Sequence, residues 1–207
     1  MFDMFPRPEK ISEMNLEPHE VQIQRALTKP QYTGLFGYEL KLPEGKFGVG
    51  ATAFGVAMLF FPGYDDLDIV DRMARYQGMA WSSWGRERAM EASIELMNYM
   101  IGEKKKLETP VDVSYCTPFQ QDVYRALTTV PWGETITYGE LAELAGHRGK
   151  ALAVGSAMRY NPCPIFVPCH RVIAASGKLG GWSGPPGWKE ALLEHEGVLA
   201  QRDDSDN

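Results

Sequence analysis

The amino-acid sequence predicts an α+β fold: an N-terminal domain with a small β-sheet and helices, then a mainly helical C-terminal domain of winged helix-turn-helix-like type. Three observations predict it. Apolar residues alternate early in the chain (Tyr38, Leu40, Leu42), the apolar spacing then lengthens to three or four, and a polar stretch opened by Lys104, Lys105 and Lys106 divides the two halves. A chain of 207 residues, 44% hydrophobic and 23% charged, has the composition of a soluble globular protein and enough length for one large domain or two small ones.

Residues 1–30 carry Pro6, Pro8 and Pro18 and read as an N-terminal extension with one short helical stretch over 19–27. Two strand-like runs follow, 35–42 and 47–61, separated by the Pro43-Glu44-Gly45 turn, and the second run is long enough to hold a further turn or bulge near Gly55. Helical spacing then marks 64–76 (Ile69, Met73) and 85–100 (Ala92, Ile94, Leu96, Met100). The N-terminal α/β domain is placed at 31–110 and the C-terminal domain at 111–200, with a polar tail over 201–207. In the second half Thr117 is a suitable N-cap with Pro118 at the first helical position, and Phe119, Val123 and Leu127 share a face. Pro131 and Gly133 end that helix. Two short helices, 138–145 and 150–160, join through Gly146-His147-Arg148-Gly149, the pattern of a helix-turn-helix.

Composition excludes several function classes. No apolar run approaches the roughly 20 residues of a bilayer span, the longest lying around 56–62, and the N-terminus lacks a basic region followed by an apolar core. A cytoplasmic protein (nuclear in a eukaryote), making no membrane contact, is expected. Three cysteines, Cys116, Cys163 and Cys169, fit a reducing compartment better than a disulfide framework. The four histidines are scattered, so neither a metal nor another cofactor is expected. The net charge of -6 lowers the expectation of nucleic-acid binding, but seven basic and seven acidic side chains balance between Thr117 and Ala200, which leaves room for a local basic patch.

The chemistry concentrates at Pro168-Cys169-His170-Arg171, where a base and a positive charge flank a cysteine. A thiolate is a nucleophile, and such neighbours lower a thiol's pKa. The plainer reading of a lone cysteine, a small buried hydrophobe, stays open at this level.

The segment Asn161-Pro162-Cys163-Pro164-Ile165-Phe166-Val167-Pro168-Cys169-His170-Arg171-Val172-Ile173 resembles the active-site segment of the O6-alkylguanine-DNA alkyltransferase family. So do Ser176-Gly177, Gly180 and Trp188-Lys189-Glu190-Ala191-Leu192-Leu193-Glu194-His195-Glu196-Gly197. Upstream, Thr117-Pro118-Phe119-Gln120-Gln121, Pro131-Trp132-Gly133-Glu134-Thr135 and Thr137-Tyr138-Gly139-Glu140-Leu141-Ala142 resemble the family's entry into its DNA-binding part. The resemblance covers roughly Thr117 to Leu199 without a gap.

It implies DNA repair by stoichiometric transfer of an alkyl group from O6-alkylguanine to Cys169, after the damaged base leaves the stack. By the same resemblance His170 takes the thiol proton through a water, held by Glu196, while Tyr138 donates to the purine N3 and Asn161 is a hinge. Ser183 and Trp182 lie near the alkylated oxygen, the carbonyls of Cys169 and Val172 accept from the exocyclic amine, and Lys189 belongs to the substrate-binding set. The second helix of the helix-turn-helix enters the minor groove, with Lys150, Ala151, Leu152, Gly155, Ser156 and Arg159 as its DNA-facing residues, and the protein acts as a monomer. An Ala/Gly-rich helix also suits tight packing on another helix.

Two positions depart from the family. Leu152 stands where an arginine enters the vacated stack, so an apolar wedge replaces a hydrogen-bonding one and weaker flipping is expected. Trp182 stands where a tyrosine is usual. Three alternatives compete with this reading: a non-catalytic sensor of alkylated bases that recruits other repair factors, a transcription regulator, and an unrelated cysteine hydrolase. The nucleophile argues against a sensor, the lack of base-reading side chains against a regulator, and the stability of a thioether against repeated turnover.

Overall fold

The computed structural model describes residues 22–26, 36–42, 45–62, 83–182 and 184–199, with side chains from Phe47 to Pro62 and from Glu87 onward. The expected helix at 64–76, Ser183 and the tail 201–207 lie outside the described residues. The fold is α+β.

Alternation in the early chain becomes a four-stranded antiparallel meander in the order β1 (Gln22–Ala26), β2 (Phe36–Leu42), β3 (Gly45–Thr52), β4 (Gly55–Phe60). The helix expected over 19–27 is strand β1 instead, paired Gln22 with Lys41 and Ile23 with Leu40. A helix that short has too few hydrogen bonds to offset its nucleation, whereas an edge strand takes its bonds from a sheet already present. Val21 and Ile23 alternating with Gln22 and Gln24 carry the strand period. Leu42 faces Gly45 across the turn signalled by Pro43-Glu44-Gly45, and Thr52 faces Gly55 at the second turn. Gly55 is forced by contact: a Cβ there would overlap the Pro110 carbonyl.

Helix α1 (Ser83–Met100) lies on β2, β3 and β4. It buries Ala89, Ala92, Leu96, Tyr99 and Met100, all spaced three or four apart or adjacent. Ile94, expected on that face, is exposed because two residues from Ala92 turn it to the other side of the helix. The polar stretch after α1 is pinned. The Glu95 carboxylate accepts from Lys104 Nζ and from the backbone N–H of Glu108 and Thr109. Val56 and Asp112 then exchange strand-like bonds with it, Val56 N to Pro110 O and Asp112 N to Val56 O, each 2.8 Å.

Four further helices and two short strands build the second half: α2 (Pro118–Leu127), α3 (Tyr138–Leu144), α4 (Ala151–Arg159), α5 (Trp188–His195), and a parallel pair of two-residue strands, β5 (Ile136–Thr137) with β6 (Val172–Ile173). Both α2 and α3 start in capping boxes, Thr117 with Gln120 and Thr137 with Glu140, which satisfy N–H groups that a helix start leaves open. Helices α3 and α4 pack together as the helix-turn-helix, each within a residue of its expected bounds.

One core serves both halves. Phe47 and Phe61 from the sheet stack around Trp188 of α5, with ring centroids 5.3 and 5.0 Å from it, and Val56 and Leu59 continue into Val123, Leu127 and Leu192. Among the described residues no helix is long and apolar enough to cross a membrane.

Candidate active site

The segment from Asn161 to Val172 joins the end of α4 to β6 and turns sharply twice. Within it, Val167 N donates to the Cys163 carbonyl at 2.8 Å, and Ile165 sits at φ +72°. A β-branched residue in the left-handed region is strained by about 1–3 kcal/mol, so this turn holds only because buried Ile165, Phe166 and Val167 are locked in the core. Asn161 braces the turn from both sides, donating through Nδ2 to the Val167 carbonyl (2.9 Å) and accepting from Cys163 N–H (3.0 Å). The chain then closes a single 3-10 turn, Cys169–Arg171.

Cys169 is a free thiol with 5% of its surface exposed. Burial pushes it up to about 11, against the Asn161 side chain, the Lys189 charge and the nearby backbone amides, which pull it down. Sequence reasoning from a flanking base and cation anticipated a lowered thiol pKa; desolvation reverses that, and the resting group is SH. About one thiol in ten thousand is ionised at pH 7.

Beside it, His170 is wholly buried, and burial holds the ring below its ordinary value, so the imidazole is neutral at neutral pH. Its Nε2 lies 2.9 Å from Glu196 Oε1. A carboxylate can only accept, so the proton sits on Nε2 and Nδ1 keeps a lone pair. That Nδ1 is buried with no partner among the described residues.

Glu196, at the C-cap of α5, is 4% exposed and almost fully engaged. Arg171 reaches both its oxygens, Nη2 to Oε1 at 2.8 Å and Nε to Oε2 at 2.9 Å, and Tyr99 Oη donates to Oε1 at 2.6 Å. Gly133 N–H donates to Oε2 at 3.3 Å. Burial opposes the charge, but hydrogen bonds and charge from His170 and Arg171 outweigh it and hold the carboxyl far below the usual carboxylate range. Arg171 also donates to the Val130 carbonyl. His170 and Glu196 thus form a pair in which the carboxylate can balance the imidazolium that results when Nδ1 takes a proton.

Tyr138, at the start of α3, faces Gly180 and Gly181. Its hydroxyl lies 3.5 Å from the Gly181 carbonyl, and a Cβ at Gly180 (φ +73°) would sit 3.1 Å from that hydroxyl. Burial and the neighbouring Cys169 raise its pKa, which keeps the phenol a donor. Lys189 is buried and donates to the carbonyls of Val172 (2.7 Å) and Leu179, closing the loop that follows β6. Trp182 packs edge-on against Phe61 at 6.1 Å, with its Nε1 buried.

The outer face of α4 has the opposite character. Lys150, Leu152, Ser156 and Arg159 are exposed, and Ala151 and Gly155 half-buried. Leu152 is 94% exposed, the extreme among large apolar side chains described. Lys150 caps the helix without a side-chain bond, so the first N–H groups of α4 are open to an anion.

Residues 118–198 match the family model for the 6-O-methylguanine DNA methyltransferase DNA-binding domain. The methylated-DNA–protein-cysteine methyltransferase of Mycobacterium tuberculosis is 47% identical over 116 residues, covering 56% of this chain and 70% of the relative. The chain belongs to the methylated-DNA–protein-cysteine methyltransferase family. Among solved members, the O6-methylguanine methyltransferase of M. tuberculosis has TM-score 0.61 and 36% identity, over 80% of this chain and 94% of that one. The M. tuberculosis protein in complex with DNA has TM-score 0.60 and 35% identity, over 76% and 90%.

Of the residues in the family pattern, the fold bonds His170 to Glu196, Lys189 to the Val172 carbonyl and Asn161 to the turn before Cys169, and places Tyr138 and Lys189 within electrostatic range of the Cys169 thiol. Trp182 packs on Phe61. Sequence reasoning missed Tyr99, whose hydroxyl reaches Glu196 from the other half of the chain. Its signal was faint: a tyrosine on the buried face of α1, in register with Ala92 and Leu96.

Proposed function

We propose that the protein repairs DNA by transferring an alkyl group from O6-alkylguanine to Cys169, one lesion per molecule. The observation that carries this reading is the buried His170–Glu196 pair next to Cys169 in the chain, with the imidazole Nδ1 left without a partner among the described residues. The thiol proton passes through a water to His170 Nδ1 while Nε2–H stays on Glu196. The sulfur attacks the alkyl carbon as the carbon–O6 bond breaks, and its electron pair stays on the purine. Tyr138 supplies a proton at N3 and is reprotonated from the His170 imidazolium through solvent, so that in the net reaction the thiol proton ends on guanine and the protein carries a thioether. A thioether is stable, and turnover stops there.

The carbonyls of Cys169 and Val172 select guanine by accepting from its exocyclic amine. Lys189 holds the Val172 carbonyl in place, and Trp182 and Ser183 flank the alkylated oxygen. DNA docks on α4 through its minor groove, with Lys150, Ala151, Gly155, Ser156 and Arg159 along the backbone. Leu152 enters the gap left by the flipped base; its 94% exposure supports the wedge role. Residues 111–200 carry both DNA binding and chemistry, and residues 31–110 brace them. The protein works as a monomer, and its three free thiols suit the cytoplasm, or the nucleus in a eukaryote.

The test is incubation with duplex DNA carrying methyl-labelled O6-methylguanine. Label is expected to move to protein in a single burst that saturates at one per molecule. Tight binding with no label on the protein would identify a sensor instead, and repeated turnover a hydrolase.

A further inference from the structure

Tyr99 is the one tyrosine hydroxyl described on the Glu196 carboxylate, and it comes from α1, outside the segment that holds the rest of the chain. Its Oη donates to Glu196 Oε1 at 2.6 Å and lies 3.5 Å from His170 Nε2. The phenol is 1% exposed. The ring is held edge-on by Trp132 at 5.0 Å and by His195 at 5.5 Å, and His195 Nε2 donates in turn to the Tyr99 carbonyl at 2.7 Å. Neither the ring nor the hydroxyl has room to move.

Tyr99 and His170 thus donate to the same oxygen. A hydrogen bond donated to a carboxylate oxygen withdraws charge from it, so Tyr99 weakens the pull of Oε1 on the imidazole proton. We infer that Tyr99 is a positioning residue for alkyl transfer, fixing the Glu196 carboxylate and setting how basic His170 can become. The inference rests on the proposed function for its consequence, but not for its geometry.

The groups that bear on the imidazole are few. Glu196, Arg171 and the Tyr99 phenol stand at or near Nε2. Cys169 precedes it in the chain, and the Lys189 ammonium also depresses it. His195 stands edge-on to the Tyr99 ring and also feels the Glu196 charge. Taking away the phenol hydroxyl leaves all of these in place. Burial pushes the phenol itself well above its ordinary value, with Glu196 adding to the shift, so it remains a proton donor at every working pH.

The experiment uses the full chain and Tyr99→Phe, which keeps the ring contacts. Nitrogen NMR of labelled histidine, assigned with His170→Gln, reads the His170 tautomer and its midpoint in the free protein. Alkyl transfer against pH is measured in parallel. In Tyr99→Phe the His170 midpoint is expected to rise by about half to one pH unit, and the Nε2–H proton to move downfield as its bond to Glu196 strengthens. The acid limb of the transfer profile moves with it. Tyr99→Leu, which also loses the ring, serves as the packing control and adds a stability loss that Tyr99→Phe lacks. An unchanged His170 midpoint and proton shift in Tyr99→Phe overturns the inference, whatever happens to the rate. Because the titration needs no DNA, a wild type that accepts no methyl group defeats the proposed function alone.

Discussion

Two regions of the second half, the inner cluster around Glu196 and the outer face of α4, differ in how they treat polar and apolar groups. On the inner side, charges are buried and paired: Glu196, Arg171 and His170 are under 10% exposed, and the carboxylate takes bonds from four residues. On the outer side, a leucine stands in water and a helix start has no side-chain cap. The first region is finished without a partner; the second makes sense only with one. The inner cluster is therefore preorganised, and the cost of exposure falls on the outer face of α4.

The largest expected effect lies in the inner region. His170→Gln removes the proton acceptor and should slow alkyl transfer by about 10²–10⁴-fold, read as single-turnover rates with excess protein. DNA affinity, which belongs to the outer face, should stay within twofold. A parallel loss of affinity would mean the two regions are not separable.

Next in size is Glu196→Ala, which strands a buried guanidinium. Urea unfolding should show a loss of about 3–5 kcal/mol. The pH dependence follows from sign. The carboxyl is depressed in the fold, so its contribution is fully present above its ordinary 4.5 and fades as pH falls towards the folded value. His170 is also depressed, by burial, so unfolded chains gain its proton first and stability begins to fall below about 6.5. The gap between wild type and Glu196→Ala should be flat from pH 6 to 8 and narrow in acid.

Leu152 sharpens the outer side. Leu152→Ala should leave stability within about 0.5 kcal/mol, because nothing in the fold covers the side chain. Transfer from duplex DNA should fall roughly tenfold while transfer from single strands is unchanged, since only the duplex needs a wedge. Equal losses on both substrates would remove the wedge from the account.

The thiol itself can be tested without DNA. A group at about 11 reacts through its rare anion, so the rate of Cys169 with a small electrophile should rise about tenfold per pH unit between 7 and 9. A plateau in that range would mean a thiolate is already present.

Much of this was legible in the chain. Thr117-Pro118 and Thr137 with Glu140 announced two helix starts, because a capping box is written within four residues. The resemblance around Cys169 drew together residues that the fold also brings together. What escaped were effects that depend on distant partners. Strand β1 owes its form to Leu40 and Lys41. Strands β5 and β6 have two residues each, too few to show a period. Tyr99 meets Glu196 across 97 positions of sequence. Cys169 looked like a lowered thiol because neighbours in sequence are visible and burial is not. The shared core around Trp188 was hidden for the same reason.

The most direct test is peptide mass mapping of wild type and Cys169→Ala after incubation with O6-methylguanine DNA. The account predicts the mass of one methyl group on the wild-type peptide that contains Cys169, and no gain anywhere in the variant. A methyl group on Cys116 or Cys163, or label retained by Cys169→Ala, would contradict it.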